Sequence, residues 1–168
     1  HFIEKPLFRK RLYSALAEIH SGRIGKPQTA DPLSVPELSG CRVLLVEDNE
    51  LNREIAVEYL KIGSIEAHIA VNGQEALDQF LAAPIGTFDA ILMDLQMPVM
   101  DGLTACRKIR QSEHPQAQTI PIIAMTANAF AEDIQAAAAA GMNAHVAKPV
   151  DMAVLRETLL RALKKKTV

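Results

Sequence analysis

The sequence contains few cysteines and no long hydrophobic run. Its two cysteines, Cys41 and Cys106, do not have the spacing of metal ligands, so we predict reduced thiols that fill space in the core of a cytoplasmic protein. No window holds the ~18 or more apolar residues of a membrane-spanning helix. No signal-peptide pattern opens the chain either, so we expect no direct membrane contact.

The chain also has little net charge. Its formal net charge of −2 at pH 7 gives no reason to expect a nucleic-acid partner. With 49% hydrophobic and 23% charged residues, the composition is that of a folded globular protein. The 168 residues suffice for one ordinary domain and a further segment. Since the first residue is His1 rather than Met, we expect a piece of a longer parent protein, which could be anchored in the inner membrane.

From residue 41 onward, strand-like and helix-like segments alternate along the chain. Apolar runs predict strands at 42–48, 64–71, 88–94, 119–127 and 144–150, and helical spacing predicts helices at 49–63, 72–83, 102–112, 129–141 and 152–166. Five such repeats predict a doubly wound α/β fold, in which helices cover both faces of a five-stranded parallel sheet of order 2-1-3-4-5.

Helical spacing also predicts which side chains share a face of the first and last helices. On the first helix the shared face is expected to hold Leu51, Ile55, Tyr59 and Ile62, and on the last helix Leu155, Leu159 and Ala162. Asn72 is expected to cap the second helix, because its side chain can accept a hydrogen bond from the first turn.

The amino-terminal part of the chain has a different character. Residues 21–39 contain three prolines and two glycines without a period, which predicts a linker before a domain at 40–168. Within residues 1–20, helical spacing follows Pro6, and "FIEKPLFRKRLYSAL" aligns with "HVAKPVDMAVLRETL" at an offset of 143 residues. This partial repeat predicts that residues 1–20 are the last strand and helix of a related, preceding domain, with chance similarity as the alternative.

Polar side chains lie where four of the predicted strands end. Glu47 and Asp48 end the first strand, Asp94 the third, Thr126 the fourth and Lys148 the fifth, with Pro149 next in the sequence. In the predicted strand order these four strands are neighbours, and ligands of such sheets bind beyond the carboxyl ends of the strands. We therefore expect these side chains to converge on one site.

The residue types at these strand ends point to phosphoryl chemistry. Clustered carboxylates repel each other, and a hard divalent cation such as Mg²⁺ relieves the repulsion. An ammonium and a hydroxyl beside the metal can hold phosphoryl oxygens, and a carboxylate can itself act as the nucleophile to give an aspartyl-phosphate. Taken singly, a strand-end aspartate is more often a helix cap or turn residue, and a Lys-Pro pair is more often a turn. It is their combination that favours a site.

Four motifs extend the interpretation to a family. "VLLVEDNELNREIA", "ILMDLQMPVMDG", "PIIAMTAN" and "AKP" resemble the motifs of response-regulator receiver domains, most closely those carried by hybrid sensor histidine kinases. The resemblance covers residues 41–166 and implies a flavodoxin-like receiver fold. It also implies that residues 1–20 are the end of another receiver-like domain.

The resemblance implies a role for each site residue. Asp94 would be the phosphoacceptor, and Glu47, Asp48, Asp94 and the backbone carbonyl of Gln96 would bind Mg²⁺. Thr126 would be the switch hydroxyl, and Lys148 would pair with the phosphoryl group, before a cis peptide bond at Pro149.

Two positions depart from the family pattern. Glu47 stands where the family often has aspartate, and His145 stands at the aromatic switch position, where tyrosine or phenylalanine is usual. His145 could make the switch sensitive to pH, or it could be a surface histidine without a role.

By this resemblance, the chain is a phosphorelay module that catalyses its own phosphorylation and dephosphorylation. It would take a phosphoryl group from the phosphohistidine donor domain of a histidine kinase and pass it to a histidine phosphotransfer domain. The alternatives are a stand-alone response regulator, a pseudo-receiver that only binds partners, and a Mg²⁺-dependent phosphatase with an aspartate nucleophile. The last usually needs an acid two residues after the nucleophile, where this chain has Gln96. Homodimerisation is left open.

Overall fold

The computed structural model describes residues 36–127 and 130–164. The predicted strand and helix within residues 1–20, and most of the predicted linker, lie outside this part of the chain. A 3₁₀ turn at Pro36–Leu38 comes first. The strands are β1 Arg42–Val46, β2 Glu66–Ala70, β3 Ala90–Asp94, β4 Ile122–Thr126 and β5 Ala144–Ala147. The helices are α1 Glu50–Ile62, α2 Gly73–Ala82, α3 Gly102–Gln111, α4 Ala131–Ala139 and α5 Met152–Lys164.

The strands form one parallel sheet whose order is β2-β1-β3-β4-β5, which confirms the predicted topology. The central strands β3 and β4 are buried along their whole length, as expected for a sheet covered on both faces. The edge strands β2 and β5 are partly exposed.

Two apolar clusters pack on opposite faces of the sheet, because successive side chains of a strand point to opposite sides. On one face, Leu44, Ile91 and Ile122 pack with buried residues of α2, α3 and α4. On the other face, Leu45 and Leu92 pack with buried residues of α1 and α5. The predicted apolar face of α5 is confirmed, since Leu155, Leu159 and Ala162 are buried there.

Polar side chains define where the first three helices begin. Asn49, Asn72 and Asp101 each accept a hydrogen bond from the backbone N–H three residues later, and thereby satisfy a donor that has no partner within the helix. The predicted cap at Asn72 is confirmed. Among the described helices, none combines the length and the apolar composition that crossing a membrane requires.

The prediction of which face of α1 is buried was wrong, and the observed face is shifted by about one residue. The helix buries Ala56 and Leu60 against the sheet, whereas Leu51 is 64% exposed and Ile62 is 46% exposed. A shift of one residue turns the buried face by about 100° around the helix axis. The face that results carries the small side chain of Ala56, which packs against the sheet. Leu38, within the predicted linker, is 1% exposed and belongs to the core cluster beneath α1 and α5.

Candidate functional site

The carboxyl ends of four strands bring the predicted site residues to one edge of the sheet. Glu47 follows β1 directly, Asp94 and Thr126 are the last residues of β3 and β4, and Lys148 follows β5. Each of Glu47, Asp48 and Asp94 offers a carboxylate oxygen, and these oxygens all lie within 4.8 Å of one another. Glu47 and Asp94 are buried, and Asp48 is exposed. The cluster is therefore open to solvent on the Asp48 side.

Lys148 forms ion pairs with two of the three carboxylates. Its Nζ lies 2.5 Å from Glu47 Oε2 and 2.6 Å from Asp94 Oδ2. The backbone N–H of Lys148 donates to the carbonyl of Thr126 at 2.7 Å, and the peptide bond between Lys148 and Pro149 is cis. The end of β5 thus holds the ammonium between the ends of β1 and β3.

The electrostatics of this group follow from one ammonium shared by two buried carboxylates. Burial raises the pKa of Asp94, and although the contacts with Lys148 and the Gln96 N–H lower it, the net direction is upward. Burial alone would lower the pKa of Lys148, but its hydrogen bonds and attraction to Asp94 and Glu47 outweigh that effect and raise the pKa. An additional cation near Asp94 would therefore be electrostatically favourable.

Close packing fixes the position of the Asp94 carboxylate. Its Oδ1 accepts the backbone N–H of Gln96 at 3.1 Å. Gly102, the first residue of α3, donates its N–H to the carbonyl of Leu95, and a Cβ at this position would lie 2.1 Å from the carbonyl oxygen of Asp94. Only glycine can therefore occupy position 102 without displacing the end of β3.

The donor set suits a hard divalent cation. The side chain of Asp48 receives no hydrogen bond from the described residues, although it lies beside two other carboxylates. Carboxylates, a carbonyl and water are the ligands that Mg²⁺ prefers. Glu47, Asp48 and Asp94 bring three such carboxylates together, and the backbone carbonyl of Gln96, two residues beyond Asp94, stays a predicted ligand.

The two remaining predicted residues lie in different environments. Thr126 is 4% exposed at the end of β4, next to the strand that carries Asp94. His145 lies in β5 opposite Ala124 of β4, and its side chain is exposed. The structure therefore places Thr126 at the same edge of the sheet as the acidic cluster, and His145 at the surface of the edge strand.

Two further residues of this region were missed in the sequence. Asn52 Nδ2 donates to Glu47 Oε1 at 3.2 Å, and Arg53 Nη1 donates to the backbone carbonyls of Glu47 and Asp48 at 3.1 and 3.2 Å. Asn52 is the third residue of α1 after its cap, Asn49, a position whose side chain often reaches back to the residues before a helix. That spacing indicates that the Asn52 side chain reaches back from the first turn, but it does not specify Glu47 as the partner.

The fold and the strand-end cluster define an α/β protein of the receiver type, and comparison with known sequences agrees. The chain belongs to the family described as response regulator receiver domain, which it matches over residues 43–160.

Relatives with curated descriptions are kinases of two-component signalling. The chain is 41% identical over 122 residues to hybrid signal transduction histidine kinase G of Dictyostelium discoideum, and 36% identical over 157 residues to signal transduction histidine-protein kinase BarA of Escherichia coli K12. These alignments cover 71% and 94% of this chain, but only 3% and 16% of the two relatives.

Solved structures of receiver domains share the fold. One is the receiver domain of a sensor histidine kinase from Pseudomonas aeruginosa PAO1, described with a magnesium ion coordinated in its active-site cleft. The match has 36% sequence identity and a TM-score of 0.67, and covers 75% of this chain and 99% of the other. Another is the receiver domain of Ssk1 from Saccharomyces cerevisiae, crystallised with the histidine phosphotransfer signaling protein Ypd1. The match has 29% identity and a TM-score of 0.67, and covers 78% of this chain and 94% of the other.

Proposed function

We propose that this chain is the phosphoacceptor receiver of a phosphorelay and that Asp94 carries the phosphoryl group. The observation that carries the proposal is the placement of the Lys148 ammonium 2.6 Å from Asp94, within a cluster that also holds Glu47 and Asp48. One ammonium does not balance three carboxylates, and such a cluster at the strand ends has no evident structural use, whereas a nucleophilic carboxylate needs positive charge nearby.

The proposed magnesium ligands are Asp48 and Asp94, the carbonyl of Gln96, and Glu47 either directly or through water. When bound, Mg²⁺ would neutralise the oxygens of the transferring phosphoryl group. The magnesium ion described in the related Pseudomonas aeruginosa receiver domain supports this assignment.

In the proposed transfer, an oxygen of Asp94 attacks the phosphorus atom of a phosphohistidine. The P–O bond of the aspartyl-phosphate forms as the P–N bond breaks, and the electron pair of the broken bond stays on the imidazole nitrogen. Lys148 then pairs with the phosphoryl oxygens, and the Thr126 hydroxyl moves onto the new group. His145 occupies the switch position on β5, where its exposed ring is free to change position with that movement.

The proposed partners are a phosphohistidine donor domain and a histidine phosphotransfer domain. Exposed apolar side chains follow the carboxyl ends of β1, β3 and β4, namely Leu51, Val99 and Phe130, which are 64%, 84% and 67% exposed. An apolar rim around the acidic cluster would let a partner exclude water during transfer. The complex of a related receiver domain with Ypd1 supports this partner class.

In this proposal the chain is a module of a hybrid sensor histidine kinase in the cytoplasm. Residues 40–168 form the receiver domain, residues 21–39 the linker, whose Leu38 packs into the core of the domain, and residues 1–20 the end of a preceding receiver-like domain. The curated kinases to which the chain is similar support this context. A stand-alone response regulator is the second candidate, and Gln96, which cannot serve as a general acid, disfavours the phosphatase alternative.

The test is the mass of the intact protein after incubation with acetyl phosphate, with and without Mg²⁺. We expect a Mg²⁺-dependent adduct of one phosphate on the wild type and on Asp101→Asn, and none on Asp94→Asn. Asp101 is a suitable control because it is an exposed aspartate of the same loop, and asparagine retains its capping role. In Asp48→Ala, we expect the adduct and its Mg²⁺ dependence to be lost together.

An equal yield of adduct in wild type and Asp94→Asn would exclude Asp94 as the acceptor. A wild type that binds Mg²⁺ but forms no adduct would direct the test to a phosphohistidine protein as donor. If that donor also fails, the pseudo-receiver alternative replaces the proposal.

A further inference from the structure

The two oxygens of the Glu47 carboxylate have different partners. Oε1 accepts the backbone N–H of Asn49 at 3.3 Å and the side-chain Nδ2 of Asn52 at 3.2 Å. Oε2 faces Lys148 Nζ at 2.5 Å. One oxygen is therefore bound to the start of α1, and the other points to the acidic cluster.

This arrangement is a variant of the usual helix start. In a capping box, the third residue of the helix accepts the N–H of the cap with its own side chain. Here Glu47, which precedes the helix, accepts the N–H of the cap residue Asn49 instead. The side chain of Asn52, the third residue of α1, is thereby left to donate to the same Glu47 oxygen.

We infer that Asn52 is a positioning residue for the cation site: it holds Glu47 Oε1 at the start of α1, so that only Oε2 faces Asp94 and Lys148. The inference rests on the magnesium site proposed above. A glutamate has one more rotatable bond than the aspartate that the family often has here, so its carboxylate needs an additional anchor to keep one orientation.

Loss of this anchor acts on the cation through Glu47. Without the Asn52 side chain, only the contact with the Asn49 N–H at 3.3 Å holds Oε1. The carboxylate can then turn both oxygens toward Asp94 and Asp48 more easily and must be ordered again when a cation binds. Partners of ligating carboxylates typically contribute ~10- to 100-fold to metal affinity. We expect Asn52→Ala, at the lower end of this range, to weaken Mg²⁺ binding about tenfold.

The experiment measures the Mg²⁺ dissociation constant by calorimetry, independently of phosphorylation. It compares wild type, Asn52→Ala, Glu47→Asp and the double variant. Asn52 is exposed and its backbone N–H keeps the cap with Asn49, so the urea unfolding midpoint should not change. The control is Gln74→Ala, which removes a half-buried residue whose side-chain amide donates to Asp78 one turn further along α2. Its Mg²⁺ affinity should equal that of wild type.

Because the shorter side chain of Glu47→Asp does not span both partners, Asn52→Ala should change affinity less than about twofold in that background. A general effect on α1 would instead weaken binding equally in both backgrounds, and that result would overturn the inference. Unchanged affinity in Asn52→Ala alone would overturn it too, while leaving the metal site intact. No Mg²⁺ binding by the wild type would refute the proposed site and this inference with it.

Discussion

Removal of the Lys148 ammonium should destabilise the protein, and Mg²⁺ should restore much of the loss. Lys148→Met keeps the approximate length of the side chain but removes the ammonium that pairs with Glu47 and Asp94. The side chains of these two residues are only 3% and 8% exposed, so water cannot replace the lost charge effectively. The carboxylate oxygens lie within 4.8 Å of one another, and two unit charges at that separation repel by about 3.5 kcal/mol at an effective dielectric constant of about 20. Breaking a buried ion pair by removing one partner costs a similar ~3–5 kcal/mol. Since Lys148 itself is 18% exposed, we expect a loss of about 3 kcal/mol.

The assay is urea unfolding followed by far-UV circular dichroism, first with EDTA and then with Mg²⁺. In EDTA, adding Asp94→Asn to Lys148→Met should recover at least half of the lost free energy of unfolding, because one of the two unpaired charges is removed. Mg²⁺ should stabilise Lys148→Met more than wild type, since it supplies the missing positive charge. Lys61→Met is the matched control: Lys61 pairs with Glu58 at the surface, where its side chain is 69% exposed, so its loss should cost less than about 0.5 kcal/mol.

The reasoning would be refuted if Lys148→Met lowered the free energy of unfolding by less than about 1 kcal/mol, because breaking a buried ion pair is expected to cost ~3–5 kcal/mol. It would equally be refuted by a double variant no more stable than Lys148→Met alone. Either result would mean that the two carboxylates do not repel each other strongly in the folded protein.

Three further predictions concern two residues next to the site and one residue of the core, and all can be measured by urea unfolding. Gly102→Ala should cost at least about 2 kcal/mol, because its Cβ would lie 2.1 Å from the Asp94 carbonyl oxygen; wild-type stability would contradict that close approach. Asp101 has a pKa below its ordinary 3.8, since its hydrogen bonds from Thr104 outweigh its slight burial. Its charge should therefore make the wild type about 0.5 kcal/mol more stable than Asp101→Asn above about pH 4. This difference in the free energy of unfolding should vanish as the pH falls through the lowered pKa. A difference that stays constant down to about pH 2 would contradict this prediction. Leu38→Ala should cost about 3 kcal/mol because Leu38 is 1% exposed, and a cost below about 1 kcal/mol would show that the segment before β1 is not part of the core.

The topology and the convergence of the site residues could be predicted because both follow from strong patterns. Short apolar runs such as β3 and β4, when they alternate with helical segments, favour the strands of a parallel sheet covered on both faces. Once the strands are parallel, their carboxyl ends must share an edge, so Asp94 and Lys148 meet although 54 residues separate them. This contact can therefore be predicted without knowing the structure of the intervening chain.

Packing details could not be predicted, because they depend on surfaces that the periodicity does not specify. The spacing of apolar residues favoured a buried face of α1 that included Leu51, whereas the helix packs on the sheet through the small residue Ala56 and through Leu60. Leu38 follows a proline-rich stretch without a period, and its burial depends on a groove between α1 and α5, which are distant in sequence. Neither feature is visible until the two helices are placed.

The contacts around Glu47 show why a short-range interaction can be harder to predict than a long-range one. Glu47 and Asn52 are five residues apart, and the sequence permits a conventional capping box in which the Asn52 side chain accepts the N–H of Asn49. The two arrangements satisfy the same donor, so local propensity does not choose between them. Lys148, 101 residues away, favours the observed arrangement, because its ammonium pairs with Glu47 Oε2 and leaves Oε1 to the donors at the helix start, the Asn49 N–H and the Asn52 side chain. The local structure at the beginning of α1 thus depends on an ion pair formed across the sheet as well as on the contacts of Asn52.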